Sequence, residues 1–202
     1  RSVRYEGRLA SPTGEYDFMV LLLMPDKGML VTSSENSGSL KLMLNGEAAW
    51  KVIEQQDGSQ RVVALEEPMK TSLKWSLRIH NSLRSLALEG GSEGLALSEI
   101  EFNGKSCYEV TKAMKDGSTL EAVLDKKTLY LLKTIETLDL GEGPDEFTVI
   151  YDDHRIVSGI VEPHKTRLYR NGKLDNEATV SSYRINPGLI SSLFEVPDEV
   201  SQ

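Results

Sequence analysis

Five dipeptides set the terms on which this chain can fold: Asn45-Gly46, Asp57-Gly58, Asn103-Gly104, Asp116-Gly117 and Asn171-Gly172. Each sits between strand-like runs, and Asn-Gly or Asp-Gly supplies the positive φ angles of tight hairpins. Five hairpins spread over 202 residues imply an antiparallel, mostly-β protein. Period-2 patterning supports this. Tyr16, Phe18, Val20, Leu22 and Met24 fall on one face of a strand, and Leu40, Leu42 and Leu44, then Ala48, Trp50 and Val52, are assigned to the same concave or core face. Met19, Leu21 and Leu23 make the first strand's other face apolar over its second half, so that strand needs cover on both sides. Further strands are expected near 2–10, 28–34, 60–65, 95–102, 106–114, 118–125, 129–139, 146–151, 156–170 and 177–186.

One segment breaks the pattern. Glu66, Glu67 and Pro68 make a helix start and Gly90-Gly91 a stop, which predicts a helix near residues 67–88. Met69, Leu73, Leu77 and His80 share one stripe, while Trp75, Ile79 and Leu86 share its neighbour, an arc wide enough to touch apolar matter on two sides. The rest of the helix carries Lys70, Lys74, Arg78 and Arg84. Residues 68–88 hold no acid and carry +4 in a chain of net charge −8. Such a face is either a solvated surface balancing acidic neighbours or a basic lid toward anionic headgroups or an acidic partner, with Lys70, Lys74 and Arg78 as the partner-binding residues.

The balance of charge, 23 basic side chains against 31 acidic, argues against nucleic acid as a partner. The longest apolar run, Phe18 to Met24, is far short of the ~20 residues that a spanning helix needs. A single Cys107, next to Tyr108 in a strand, reads as a packed thiol and cannot form an internal disulfide. Gly90-Gly91-Ser92-Glu93-Gly94 spells G-x-S-x-G but follows a helix instead of a strand, so Ser92 lacks the elbow that makes a nucleophile. Asp152, Asp153 and His154 read as a polar turn, because three adjacent residues do not converge on one ion. His164, after Pro163, looks like a residue at a bend. No catalytic residue, metal site or cofactor is assigned, and the chain is not expected to be an enzyme.

The order of the motifs resembles the LolA-like superfamily of outer-membrane lipoprotein carriers and sorting proteins, in its uncharacterised branch. Gly104 to Val110 reads G-x-x-x-Y-x-V, Asp116-Gly117-Ser118 and Asp125-Lys126-Lys127-Thr128 are turns, Asp153 to Pro163 reads D-x-R-x-x-x-G-x-x-x-P, and the chain closes on Phe194-Glu195-Val196-Pro197. In the first half, Met24-Pro25, a Lys27-Gly28 turn and Asn45-Gly46 before Trp50 fit the same pattern. The resemblance implies one domain over 1–202, a strongly curved antiparallel sheet forming an incomplete β-barrel with a lid helix. It implies a periplasmic, monomeric binding or carrier protein for lipid or lipoprotein acyl chains, serving a membrane-bound transporter or receptor. Phe18, Val20, Leu22, Leu42 and Trp50 would wall the cavity and Leu73, Trp75 and Leu77 would form the lid. A sensor or protein-interaction module without a ligand is the alternative, and a closed core with no cavity remains open. Two departures stand out. No Lys or Arg lies between Arg8 and Lys27, where dedicated carriers hold a basic residue against the lid, and the chain opens at Arg1 on a strand, so a signal peptide and an N-terminal helix are expected ahead of it.

Overall fold

The computed structural model of the chain describes residues 1–34, 38–54, 60–78, 94–113, 119–140 and 143–196. Thirteen strands form: β1 (Ser2–Ser11), β2 (Gly14–Leu23), β3 (Lys27–Ser34), β4 (Gly38–Asn45), β5 (Ala48–Glu54), β6 (Gln60–Ala64), β7 (Leu95–Phe102), β8 (Lys105–Ala113), β9 (Thr119–Asp125), β10 (Leu131–Asp139), β11 (Pro144–Val157), β12 (Ile160–Arg170) and β13 (Lys173–Ile185). They pair antiparallel in one sheet, in the order β6-β5-β4-β3-β2-β1-β13-β12-β11-β10-β9-β8-β7. β6 and β7 are its two end strands, so the sheet does not close, and the mostly-β class read from the hairpins holds. Among the described residues the helical elements are α1 (Met69–Arg78) and a 3₁₀ turn, Ser191–Phe194. No helix among them is long and apolar enough to cross a membrane.

The turns follow from the residues that make them. Asn103-Gly104 has φ of 51° and 73° and joins β7 to β8, and Asn171-Gly172 has φ of 50° and 74° and joins β12 to β13. These are the paired positive values of a two-residue hairpin turn. Gly46, at φ 61°, closes the β4–β5 hairpin, where Asn45 faces Ala48. Asp57-Gly58 and Asp116-Gly117 lie outside the described residues. Two expected turns are corrected. Lys27 and Gly28 open β3, and the reversal falls on Met24, Pro25 and Asp26. Asp152, Asp153 and His154 lie within β11, and the reversal comes at Ser158-Gly159, with φ of 50° and 78°, splitting the strand expected over 156–170. Ser-Gly is a weaker turn signal than Asn-Gly, since serine has no particular tolerance of positive φ.

The chain's contacts resolve two compact units, one of Arg1–Leu77, Val157–Gly159 and Ala178–Gln202, the other of Arg78–Ile156 and Ile160–Glu177. In the first, both faces of β2 are buried, as its two-sided apolarity requires. Phe18, Val20 and Leu22 join Val3, Tyr5, Leu44, Ala49, Leu73 and Leu77 in one core. Leu21 joins Met29, Met43, Val52 and Phe194 in another, on the opposite face. The 3₁₀ turn that carries the fully buried Phe194 is tied down by Lys27 Nζ, which donates to Ser191 Oγ at 2.7 Å.

In the second unit, apolar burial at Leu120, Ala122, Phe147 and Val149 is mixed with buried Thr134, Glu136, Glu162 and His164. Thr134 Oγ1 and Tyr151 Oη are hydrogen-bonded at 3.1 Å. Cys107 is fully buried in β8, as a packed thiol should be. His154 Nε2 lies 2.7 Å from the Leu131 carbonyl, its ring stacks on Tyr130, and the Asp153 carboxylate accepts from Arg155 Nε at 3.0 Å, so these side chains serve the sheet. Two carboxylates organise turns. Asp125 Oδ1 accepts from the N–H groups of Thr128 at 2.9 Å and Lys127 at 2.8 Å, which holds its carboxyl below the usual carboxylate range. Asp145 is held down likewise, by hydrogen bonds from Arg170 and then from Asn171.

A carboxyl whose pKa is lowered by folding binds protons more readily in the unfolded chain, so it stabilises the fold above its unfolded pKa, ~3.9, and that contribution is lost as pH falls through the lower folded value. The difference in urea midpoint between the native chain and Asp145→Asn should therefore be constant from pH 7 to about pH 5 and shrink below about pH 4. A difference that persists unchanged at pH 3 would mean that the Arg170 and Asn171 bonds do not favour the ionised form.

Candidate functional site

Residues directly opposite each other in an antiparallel ladder share a face, and alternate residues along a strand share it too. One face of β1–β6 can be traced on this basis. Val3, Leu22, Gly28, Leu44 and Ala49 form one row across the strands, and Tyr5, Val20, Leu30, Leu42, Lys51 and Val63 the next. Gly7, Phe18, Thr32, Leu40, Ile53 and Arg61 form a third, and Tyr16 lies beyond it.

Helix α1 covers the first row. Its start is held by Glu67, whose Oε2 accepts from the Thr71 N–H at 3.1 Å and from Thr71 Oγ1 at 2.6 Å. Leu73, Trp75 and Leu77 are buried, and Met69 is exposed. The helix meets the sheet closely at a glycine: a Cβ built on Gly28 would lie 2.5 Å from Leu77 Cδ1, so the Leu77 side chain would have to shift to admit it.

The third row is left open. Tyr16, Thr32, Gly38, Ser39, Leu40, Lys51 and Ile53 line a hollow of about 290 Å³ beside the core. Its floor is mixed, with Leu40 and Ile53 apolar and Tyr16, Thr32 and Ser39 offering hydroxyls. Tyr16 Oη lies 3.1 Å from Thr13 Oγ1 at the rim.

The sequence-predicted wall and lid residues therefore divide. Phe18, Val20, Leu22, Leu73 and Leu77 pack on one another in the core, with Leu42 partly buried at its edge. Trp75 is buried but belongs to neither of the two clusters described above. Trp50 is on the other face: it pairs with Met43 and packs in the cluster around Phe194, as does Val52. The misplacement has a definite cause. The two-residue Gly46-Glu47 loop sets Asn45 opposite Ala48, so even residues of β4 share a face with odd residues of β5. Ala49, Lys51 and Ile53 take the places assigned to Ala48, Trp50 and Val52. The loop length was the available signal for Lys51, Ile53 and Thr32, none of which was singled out.

The helix cations are engaged within the chain. Lys70 Nζ lies 3.3 Å from Glu67 Oε1, Lys74 Nζ lies 2.8 Å from Glu47 Oε2, and Arg78 pairs with the buried Glu136. The Lys74 ammonium holds the Glu47 carboxyl below its usual range. Of the remaining sequence candidates, Ile79, His80, Arg84, Leu86 and Ser92 lie outside the described residues. Among the described residues, no three His, Cys, Asp or Glu side chains gather as metal ligands would.

An open antiparallel sheet with one face under a short helix is the LolA-like fold that the motif order suggested. No family model and no curated protein matches the chain. Solved structures do match. A DUF1329 family protein from Desulfovibrio piger superposes with a TM-score of 0.67 at 14% identity, over 96% of this chain and 89% of its own. A LolA superfamily protein from Nitrosomonas europaea gives 0.61 at 10%, over 96% and 89%. A domain from Vibrio parahaemolyticus, described as an outer membrane lipoprotein-sorting protein domain, gives 0.62 at 13%, over 96% and 88%. At such identities the shared property is the fold.

Two variants test the helix seat. Gly28→Ala should destabilise by about 1–3 kcal/mol through overpacking, and Gly28→Ala with Leu77→Ala should lose less than the two single losses together, measured by urea unfolding. Simple additivity would show that the two positions do not touch. Separately, Arg78→Gln should destabilise by about 1–3 kcal/mol by removing its ion pair to the buried Glu136 carboxylate, whereas Lys74→Gln should leave the unfolding midpoint unchanged because its partner is exposed.

Proposed function

We propose that the protein is a periplasmic binding or carrier protein that holds an acyl chain on the inner face of β2–β5, in lipid or lipoprotein transport to the outer membrane. The observation that carries this reading is the hollow beside the core: an unfilled space of about 290 Å³ on the face that α1 covers elsewhere. The likeness in fold to a domain described as lipoprotein-sorting supports it. Burying an acyl chain contributes ~0.8 kcal/mol per CH₂, so a hollow needs no catalytic group to retain one. Its volume is at the low end of small-molecule sites, ~300–1,000 Å³, which favours one chain over several.

In this reading Leu40 and Ile53 make the wall that Phe18 and Trp50 were expected to make. Leu73 and Leu77 close the neighbouring row and would have to shift only for a ligand longer than the hollow. Delivery would be to a membrane-bound transporter or receptor. A sensor module engaging a partner through Lys70, Lys74 and Arg78 would first have to break the ion pairs that each already makes.

Native mass spectrometry after mild extraction tests the proposal. A mass increment matching a single-chain lipid is expected, and it should disappear in Ile53→Trp, which fills the hollow, while the urea midpoint stays within about 1 kcal/mol of the native chain. A ligand-free native mass together with no uptake of added fatty acid would overturn the reading.

A further inference from the structure

The inner face of β1–β6 is almost without charge, and the charge it has is of one sign. Among the described residues of these strands, its only ionisable acids or bases other than tyrosine are Lys51 and Arg61. The opposite face of β1 and β2 carries Arg4, Glu6, Arg8, Glu15 and Asp17, with Arg4–Glu6 and Arg8–Asp17 paired at 2.7 and 3.6 Å. In a chain of net charge −8, an acid-free face holding two cations is a local inversion of the overall balance.

One cation lines the hollow and the other stands beside it. Lys51 lines it, and Arg61 stands directly opposite Ile53, which also lines it. Side chains directly opposite in such a ladder have Cβ atoms ~5 Å apart, so the guanidinium has reach to the same space. The other basic groups of this unit that approach acids are engaged: Lys70, Lys74, Arg4 and Arg8 all have carboxylate partners. Lys51 and Arg61 make no ion pair with any described residue, and among the described residues of β1–β6 no carboxylate shares their face. Tyr16, Thr32 and Ser39 add hydroxyl donors around them.

We infer that the hollow selects an anionic amphiphile, a single apolar chain whose carboxylate or phosphate head is held by Lys51 and Arg61 while the chain lies over Leu40 and Ile53. The inference rests on the acyl-holding reading and adds to it the sign of the head. The physical reason is complementarity. A cation pair beside apolar surface is partly desolvated when a chain covers it, and an anionic head restores the lost interaction where a neutral head does not. The same arrangement discriminates against cationic lipids, because no carboxylate on that face receives them.

Calorimetric titration of the whole chain with three probes below their micellar concentrations separates the possibilities: palmitate, palmitoyl-lysophosphatidylglycerol and neutral monopalmitoylglycerol. Two exposed or half-exposed ion pairs are worth about tenfold in affinity together, so the two anions should bind about tenfold more tightly than the neutral lipid. The tighter of the two anions identifies the head as carboxylate or phosphate. In Lys51→Gln/Arg61→Gln that advantage should fall to within about twofold while monopalmitoylglycerol binds as before, which also shows that the variant is folded. Lys51→Glu/Arg61→Glu should reverse the preference, toward hexadecyltrimethylammonium. Equal affinity for neutral and anionic lipids in the native chain, or a preference that survives in the double glutamine variant, overturns the inference and leaves acyl binding intact. Failure of all three lipids to bind overturns both.

Discussion

Everything in the first unit depends on β2 being apolar on both faces. A strand with one wet face can lie at the surface, but Phe18, Val20 and Leu22 on one side and Leu21 on the other all require cover. The chain supplies it with two unlike elements. The 3₁₀ turn brings Phe194 to the Leu21 side, and α1 brings Leu73 and Leu77 to the Leu22 side. Each buried aliphatic contributes roughly 1.5–3 kcal/mol, which is what holds two short helical pieces against the sheet. Gly28 lets α1 sit close: with a side chain there, Leu77 would have to shift to stay against β3.

The described part of α1, ten residues and ~15 Å long, packs on the row that holds Gly28. Farther along β3–β5, Thr32, Leu40 and Gly38 are small, and the described residues leave a hollow there. The hollow is also where the apolar surface of Leu40 and Ile53 meets the hydroxyls of Tyr16, Thr32 and Ser39 and the ammonium of Lys51. The second unit takes another course: among its described residues it buries Thr134, Glu136 and His164 alongside apolar side chains such as Leu120, Ala122, Phe147 and Val149.

Most of the fold was legible because its turns are chemically explicit. Asn103-Gly104 and Asn171-Gly172 adopt the positive φ pair that few other residues accept, so the sequence marks its own reversals there. Ser158-Gly159 makes the same turn without the same mark, and residues 156–170, which it divides, were read as one strand. The helix core was legible too, at Leu73, Trp75 and Leu77, since helical periodicity needs no knowledge of the partner surface. Gly28 was read as a turn residue. Its role depends on a side chain about fifty residues further along the chain, and nothing local to Lys27-Gly28 announces it.

The face assignment of β5 was within reach and was missed for a reason that generalises. Period-2 patterning says which residues share a face within one strand, never which faces of two strands coincide; the connecting loop settles that. A two-residue loop sets residue i opposite i+3, which joins opposite parities, so Asn45 facing Ala48 commits Leu42 to Lys51 and Leu40 to Ile53. Hydrophobicity pointed the other way because Trp50 and Val52 look more like cavity wall than Lys51 does. Val52 is buried and Trp50 partly buried, but against Met43 and Phe194 on the far side. Reading register before hydrophobicity would have placed Lys51 on the inner face from the start, because a charge costs little at a half-exposed position and hydrophobicity alone gives no reason to look for one there.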